Sequence, residues 1–433
     1  MLEQILKNDK VYQQIQAGLE ENKGPVFVSG CTDTAKWHLC SSLKSQETSG
    51  KWKIVIVPDE IKGRQWAEGC GFFGEDVYFF PAKDPLFYSA DVHGNAIAKE
   101  RMKCIQKIME GSGGIFVMAV DAAMDRVVPL EEIEKYRILL KAGDILEEEA
   151  FSKKLVALGY EKTGFVEAAG EFAVRGGILD VYPYTADCPY RIELWGDEID
   201  SIRSFDAESQ RSIEEIETLV IDPATEIILE EERIAFGLSQ MEKDYKKLAE
   251  EFHKKMETEK EVRLKKEIKR IREELSELHM LIGAEGYLPY FYDKLTSVLT
   301  YFPEDTLVYL DEPKHIKERA EAFFLEFTES MKSRLEGGYL LPKQADTVTE
   351  FGEAVRQMEK HPMVCLSMIL AEIEEIPAAK TFFMEARSIQ SYNNSFERLL
   401  KDLASYQEKE YRIIVVSPGV EIILLTAHGN IPD

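Results

Sequence analysis

Short apolar segments alternate with longer amphipathic segments over the first 120 residues of the chain. The apolar segments lie at 26–28, 54–57, 77–80 and 115–120, and the helical patterns between them lie at 35–43, 60–68 and 95–109. Strand, helix and strand at this spacing predict a parallel sheet with crossover helices. We therefore expect an α/β fold, with an amphipathic helix over residues 1–23 in front of it.

A different pattern begins near residue 164 and continues to residue 211. Glycine pairs and short apolar runs alternate there in pieces of strand length, and a helical pattern over 145–158 leads into them. Gly176 and Gly177 separate two of the runs and predict a turn or a bulge. This region predicts a small β-rich domain inserted into the α/β fold.

One strand of this β-rich region has two distinct faces. Period-two spacing places Ile192 on one face, whereas Arg191, Glu193 and Trp195 fall on the other. Arginine and tryptophan are enriched at the centres of protein interfaces. The residues alone favour two interpretations equally, a docking surface or an Arg191–Glu193 ion pair with Trp195 covering the sheet edge.

The chain after this region is helical at first and then returns to the α/β pattern. Residues 230–279 are highly charged with apolar residues near helical spacing, which predicts a two-helix excursion, with a partner-binding coiled coil as the alternative. A further strand is expected at 363–369. Residues 377–433 predict a small α/β domain with one helix and two strands joined by a short turn, and its abrupt end suggests a fragment.

The first predicted strand runs into a sequence that resembles a phosphate-binding loop, G-x-x-x-x-G-K-[ST]. Gly30 and Lys36 have the required spacing. Ala35 replaces the second glycine, Trp37 replaces the hydroxyl that binds magnesium, and Asp33 adds a negative charge where amides would hold a phosphate. We expect a degenerate nucleotide site here, with an ordinary turn between strand and helix as the alternative.

A second nucleotide-site pattern lies far downstream. The apolar strand at 306–310 ends in Asp311 and Glu312, as does the strand that holds magnesium in P-loop ATPases. Together with the altered loop it predicts one RecA-like domain whose two halves flank the insertion. Without a hydroxyl at position 37, Asp311 should have lost its partner, so we expect no ATP hydrolysis.

These observations divide the chain into four predicted parts. They are residues 1–140 and 226–375 as the two halves of the RecA-like α/β domain, 141–225 as the inserted β-rich domain, and 376–433 as the small α/β domain, possibly truncated. A chain of 433 residues is long enough for several domains.

Composition narrows the classes of partner. The formal net charge of −26 opposes non-specific binding to phosphate backbones and favours a protein partner. The aromatic segment 79–88 could stack on bases, but its flanking charge favours packing. The six cysteines are dispersed, which predicts neither a zinc site nor disulfides and indicates a reducing, cytoplasmic compartment. No apolar run approaches the 18 residues of a membrane span.

Several long motifs resemble one family in the right order. The sequences GEFAVRGGILDVYP (170–183), YRIELWGDEIDSIRSFD (190–206) and QRS (210–212) resemble the UvrB-homology module of the bacterial transcription-repair coupling factors (Mfd). The sequences at 79–102 and 287–313 resemble its flanking halves. The resemblance covers about residues 1–375 and becomes weaker beyond 377.

The resemblance implies a role in DNA repair. A member of this family recognises RNA polymerase stalled at a lesion, displaces it with an ATP-driven, magnesium-dependent motor, and recruits the damage-recognition protein UvrA through the UvrB-like module. The motor pattern is absent from this chain, so the polymerase and DNA contacts and the cofactors are expected elsewhere in the full-length protein. The rival is the excision helicase UvrB, which would need an intact phosphate loop, and the departures at Ala35 and Trp37 favour the coupling factors.

The resemblance also assigns docking residues. The arginines that contact UvrA correspond to Arg175 and Arg191, and the aromatic contact corresponds to Trp195, where many relatives have phenylalanine. The first hypothesis is thus a binding module without catalysis, with an ATPase with a tolerant loop and a DNA-binding repair module as the alternatives. Binding of UvrA, binding of ATP and a DNA mobility shift would distinguish the three.

Overall fold

The structure is a computed structural model of the chain. It describes residues 6, 9–21, 24–44, 51–83, 93–278, 281, 283–389, 392–393, 395–409, 411, 413–417 and 420–425.

The helices are α1 (Lys10–Glu20), α2 (Asp33–Ser42), α3 (Glu60–Gly71), α4 (His93–Glu110), α5 (Val120–Ala123), α6 (Leu130–Glu134), α7 (Glu148–Ala157), α8 (Glu231–Lys254), α9 (Thr258–Glu273), α10 (Leu288–Phe291), α11 (Pro313–Glu336), α12 (Phe351–Met358) and α13 (Phe396–Glu408). The strands of the first half are β1 (Val26–Ser29), β2 (Trp52–Val57), β3 (Val77–Phe80), β4 (Gly114–Ala119), β5 (Arg126–Val127) and β6 (Ile138–Lys141). The strands of the insertion are β7 (Glu161–Lys162), β8 (Glu171–Val174), β9 (Ile178–Val181), β10 (Tyr190–Trp195), β11 (Glu198–Phe205), β12 (Ser212–Glu215) and β13 (Thr218–Ile221). The remaining strands are β14 (Thr296–Ser297), β15 (Leu307–Asp311), β16 (Met363–Leu366), β17 (Lys380–Phe383), β18 (Ile413–Ser417) and β19 (Val420–Leu425).

A seven-stranded parallel sheet organises the α/β part. Its order is β17-β1-β16-β15-β2-β4-β3, so strands from before and after the insertion are neighbours within it. Alternate strand residues belong to two separate cores, with Phe27 in one and its neighbours Val26 and Val28 in the other. A sheet covered on both faces gives continuous apolar strands, and the predicted α/β fold with its inserted β-rich domain is confirmed.

The sheet extends further along the chain than expected. β17 pairs in parallel with β1, with Val26 opposite Lys380, at the edge of the sheet. The predicted boundary between residues 375 and 376 therefore separates this strand from the sheet to which it belongs. β17 is short and its side chains are only partly covered, so it lacks the apolar run that marks the inner strands.

The insertion forms a second, mostly antiparallel sheet. Its order is β12-β11-β10-β9-β8-β7, and only the short β7 runs parallel to its neighbour. Gly176 and Gly177 form the turn between β8 and β9, and both have a positive φ that favours glycine. The ribbon of β6 and β13 brings the start and the end of the insertion together.

A buried ionic cluster lies where the chain returns from the insertion to the α/β part. Arg101 on α4 is fully buried and stacks on Phe80, 4.0 Å from the ring centroid. Its Nε donates to Glu226 Oε1 at 2.6 Å, just after the insertion, and its Nη1 donates to Asp125 Oδ2 at 3.3 Å. Burial raises the pKa of Asp125 to about 6. Packing, the favoured role of the aromatic segment, holds for Phe80, whereas positions 84–88 lie outside the described residues.

The charged region after the insertion forms two long helices, α8 and α9, that pack against each other. Ile234 and Met241 on α8 and Leu264 and Ile271 on α9 are buried, which leaves the charged residues on the outer faces. The predicted two-helix excursion is confirmed. Near the end of the chain, β18 and β19 form the antiparallel hairpin that the short turn indicated.

Candidate docking face and nucleotide-binding edge

The altered phosphate loop lies where a nucleotide-binding loop lies in a RecA-like fold. It joins β1 to α2 at the carboxyl edge of the parallel sheet. Lys36 projects from the first turns of α2, and Asp311 and Glu312 end β15 at the same edge. The structure therefore brings together all four residues that the sequence assigned to this site, Gly30 included.

Lys36 is paired with both carboxylates. Its Nζ lies 2.6 Å from Asp311 Oδ1 and 2.7 Å from Glu312 Oε1. Asp311 is fully buried, and its other carboxylate oxygen accepts a hydrogen bond from Trp66 Nε1 at 2.7 Å. Burial alone would lower the pKa of Lys36, but the two carboxylates raise it above its usual value. The expectation that Asp311 has lost its partner is thus wrong, because the lysine itself takes that place.

The backbone of the loop is also occupied by other parts of the chain. The N–H groups of Gly30 and Cys31 donate to the carbonyl oxygens of Met368 at 3.0 Å and Ser367 at 3.1 Å. The segment after β17 crosses the loop, where Met384 N donates to the Ser29 carbonyl at 2.8 Å. A phosphate-binding loop uses such N–H groups to hold its ligand, and here these two donors are already bonded within the protein.

Two close contacts at glycines complete this edge. Gly30 has a φ of +76°, and a Cβ added there would collide with the carbonyl oxygen of Met384. Trp37, at the position of the magnesium-binding hydroxyl, packs against Gly69 of α3, where a Cβ would overlap the indole ring. At both positions the space beside the loop is therefore taken up by the protein's own backbone and side chains.

The candidate docking face lies on the sheet of the insertion. Register places Asp180 of β9 and Arg203 of β11 directly opposite Arg191, one on each side. Directly opposed residues share a face, and period two adds Glu193 and Trp195 of β10 to it. The predicted face is therefore a real surface of the sheet, with Arg203 as an additional cation.

Asp180 is the centre of this face. Its carboxylate is fully buried and receives Arg191 Nε at 2.7 Å and Arg191 Nη2 at 2.9 Å in a two-point contact. Arg175 Nη2 also bonds to the same carboxylate. The hydrogen bonds to Asp180 raise the pKa of the Arg191 guanidinium. Two arginines thus share one buried acid, which leaves one positive charge in excess.

Aromatic rings hold the two guanidinium groups in place. The Arg191 guanidinium lies 4.4 Å from the Phe205 ring centroid, and that of Arg175 lies 4.6 Å from the ring of the exposed Phe165. The side chain of Arg175 is 34% exposed and that of Arg191 is 15% exposed. A guanidinium held by a carboxylate and by one aromatic ring loses little entropy when it contacts a partner.

The alternative of an Arg191–Glu193 ion pair is not what the structure contains. Glu193 accepts a hydrogen bond from Ser201 Oγ at 3.1 Å, whereas Arg191 binds Asp180. Trp195 does not cover the sheet edge in the manner of a packed residue, since it is 83% exposed. All three predicted docking residues lie on the insertion, two of them on one carboxylate and the third exposed at the end of β10.

Sequence reasoning did not find Asp180, Phe165 or Arg203. Asp180 interrupts an otherwise apolar strand, between Leu179 and Val181, and a buried acid in such a run needs a cationic partner. That was the available signal for it. Arg203 could have been found by alternation along β11, but its register with β10 depends on a bulge that the sequence does not reveal.

Other site chemistry is limited within the described part of the chain. No group of three or more His, Cys, Asp or Glu residues is arranged there to hold a metal ion. None of the helices described is long and apolar enough to cross a membrane.

Known proteins resemble both the insertion and the longer chain. Residues 138–227 match the family model described as the UvrB interaction domain, and these residues include the whole docking face. The chain is 28% identical over 424 residues to the transcription-repair-coupling factor of Bacillus subtilis (strain 168). That match covers 97% of this chain and 35% of the relative.

The chain is similar to transcription-repair coupling factors over nearly its whole length. The factor of Staphylococcus aureus (strain USA300) is 25% identical over 418 residues, which cover 96% of this chain and 35% of that protein. The factor of Staphylococcus epidermidis (strain RP62A) is 26% identical over 341 residues, or 79% of this chain and 28% of the relative. The chain thus spans about a third of the length of these coupling factors.

Proposed function

We propose that this chain is a protein-docking module of transcription-coupled nucleotide excision repair that recruits UvrA through the face carrying Arg175, Arg191 and Trp195. The observation that carries the proposal is the arginine pair held on buried Asp180, inside the segment that matches the UvrB interaction domain. RNA polymerase, DNA and an ATP-driven motor belong, on this proposal, to the remaining two thirds of such a factor.

Charge supports a protein partner for this face. The chain carries a net charge of −26, whereas the Asp180 cluster has one positive charge in excess. DNA would have to approach an acidic surface to reach one or two guanidinium groups, which opposes phosphate binding. A protein with a local acidic or polar site meets no such barrier. In a mobility-shift assay at physiological salt we therefore expect little or no shift of a DNA duplex.

The direct test measures the affinity of the 433-residue chain for purified UvrA by calorimetry. Arg175→Ala should cost at least ~2 kcal/mol, about thirtyfold in Kd, if the guanidinium is desolvated at the interface. Arg356→Ala is the matched control, since Arg356 lies on α12 and pairs with Glu353 on its own helix. Equal loss in both variants, or none in Arg175→Ala, would remove Arg175 from the docking site.

Arg191 needs a second measurement beside the affinity. Its side chain is mostly buried and neutralises Asp180, so Arg191→Ala affects both folding and docking. Arg191→Lys keeps a charge but loses the two-point contact, and it should also weaken UvrA binding. Thermal unfolding of each variant separates lost stability from lost contact.

We further propose that this chain neither binds nor hydrolyses ATP. The support is the pairing of Lys36 with Asp311 and Glu312, together with the bonded N–H groups of Gly30 and Cys31. Calorimetry with ATP and magnesium should give no saturable heat. Saturable binding that disappears in Lys36→Ala would contradict this and would favour the ATPase hypothesis.

A further inference from the structure

Ile145 is an exposed apolar side chain held on a fixed backbone. It is 76% exposed, between β6 and α7, whereas the next residue, Leu146, is buried. Hydrogen bonds lie on both sides of it, from Leu146 N to the Asp197 carbonyl at 2.6 Å and from Ile199 N to the Asp144 carbonyl at 2.9 Å. The backbone that presents Ile145 to solvent is therefore ordered before any partner binds, which lowers the entropic cost of a contact.

The same pairing brings Ile145 beside the docking face. Ile145 forms an antiparallel bridge with Glu198, and Glu198 lies directly opposite Trp195 on β10. Directly opposed residues point to the same side, so Trp195, Glu198 and Ile145 form one row. With strands about 4.8 Å apart, the two apolar residues are about 10 Å from each other across the acid.

The row has a definite chemical pattern. Its two ends are large exposed apolar side chains, and Glu198 between them is exposed as well. Exposed apolar residues that occur singly need no explanation. Two of them on one ordered row, at the end of the strand that carries Arg191, are continuous with the face already proposed to dock UvrA.

We propose that Ile145 is a second apolar anchor of the docking face and that Trp195 and Ile145 together receive an apolar surface of UvrA with a basic side chain opposite Glu198. This inference rests on the proposed function. It extends the contact beyond the arginine pair and beyond residues 164–211. It also sets the chemistry of the partner, two apolar contacts on either side of one positive charge.

The test measures UvrA affinity by calorimetry for the 433-residue chain and its variants. Ile145→Asp should weaken binding at least roughly tenfold, because a carboxylate would replace the anchor beside Glu198. Ile61→Asp is the matched control, since Ile61 is 74% exposed and lies on α3 of the α/β part. It should bind as the unsubstituted chain does. Thermal unfolding should be unchanged in both variants.

Two further variants examine the row itself. Glu198→Lys should also weaken binding, because it would repel the proposed basic group of UvrA. Ile145→Ala and Trp195→Ala combined should lose less affinity than the two single losses multiplied, since neighbouring contacts on one surface are not independent. Suppose that the unsubstituted chain binds UvrA and that Arg175→Ala binds it more weakly. Full affinity in Ile145→Asp would then overturn the second anchor alone. No binding of UvrA by the unsubstituted chain would overturn the anchor and the proposed function together.

Discussion

The edge of the parallel sheet with the altered phosphate loop and the candidate docking face contain inverse charge clusters. At the edge, one lysine lies between two carboxylates, Asp311 and Glu312, and the lysine is 3% exposed. On the docking face, one buried carboxylate lies between Arg175 and Arg191, and both arginines reach solvent. The first cluster uses its cation entirely inside the protein, whereas the second presents cations outward.

The two clusters differ in which charged group is buried. A buried charge is stable only when it is paired. At the sheet edge the buried Lys36 is paired with Asp311 and Glu312, and the segment after β17 crosses the loop. On the insertion the buried charge is the acid, and its partners are long side chains whose outer surfaces remain available for contact.

The largest expected effect concerns the buried pair of Lys36 and Asp311 at the sheet edge. Lys36→Met would leave Asp311 buried without a cation, and we expect a loss of ~3–5 kcal/mol in the free energy of unfolding, measured by urea denaturation. The control is Lys62→Met, which removes a partly exposed pair with Asp33 at 2.8 Å between α3 and α2 and should cost ~0–1 kcal/mol. Equal losses would mean that burial does not distinguish the two pairs.

A smaller effect is expected at the docking face. Asp180→Asn keeps the shape of the side chain but removes the charge that holds both arginines, and ~2 kcal/mol of unfolding free energy should be lost. UvrA affinity should fall as well, because the guanidinium groups are no longer oriented. The exposed Asp200 provides the control variant Asp200→Asn, for which neither quantity should change. Retained affinity in folded Asp180→Asn would show that the acid does not position the arginines for docking.

The smallest expected effect is that of salt. Raising NaCl from about 50 to about 500 mM should weaken UvrA binding by roughly three- to tenfold, because partly exposed arginines are screened. The stability difference between the unsubstituted chain and Lys36→Met should barely change, since buried pairs are screened much less. The affinity of Arg175→Ala for UvrA should depend less on salt than that of the unsubstituted chain. An equally steep salt dependence in both would show that Arg175 does not contribute to the electrostatic attraction of UvrA.

Much of the fold could be predicted because its signals are local. The inner strands β1, β2 and β4 are apolar runs, and the long helices α8 and α9 have regular apolar spacing. The edge strand β17 could not be predicted, because partly covered side chains leave no apolar run. An edge strand is recognised by what it pairs with, and its partner β1 lies some 350 positions earlier in the chain.

The candidate site was predictable only as a set of residue types on a face. Alternation placed Arg191 and Trp195 on one side of β10, and the register of the sheet agrees. Alternation could not show that Arg191 binds Asp180, because that contact depends on how β9 pairs with β10. The predicted helix over 145–158 wrongly included Ile145, because the helix begins at Glu148 and Ile145 reaches the face through a bridge to Glu198.

The sequence alone determined the class of fold, the insertion and the residues in which the phosphate loop departs from a working one. Those properties depend on the spacing of apolar, glycine and charged residues over short stretches, which can be seen in the sequence itself. Only the tertiary structure decided what the departing residues do. Lys36 and Asp311 are separated by 275 positions, and their pairing depends on the strand order that places both at one edge. The physical reason is that a buried charge is costly unless it is paired, and the fold determines which residues lie close enough to pair with it.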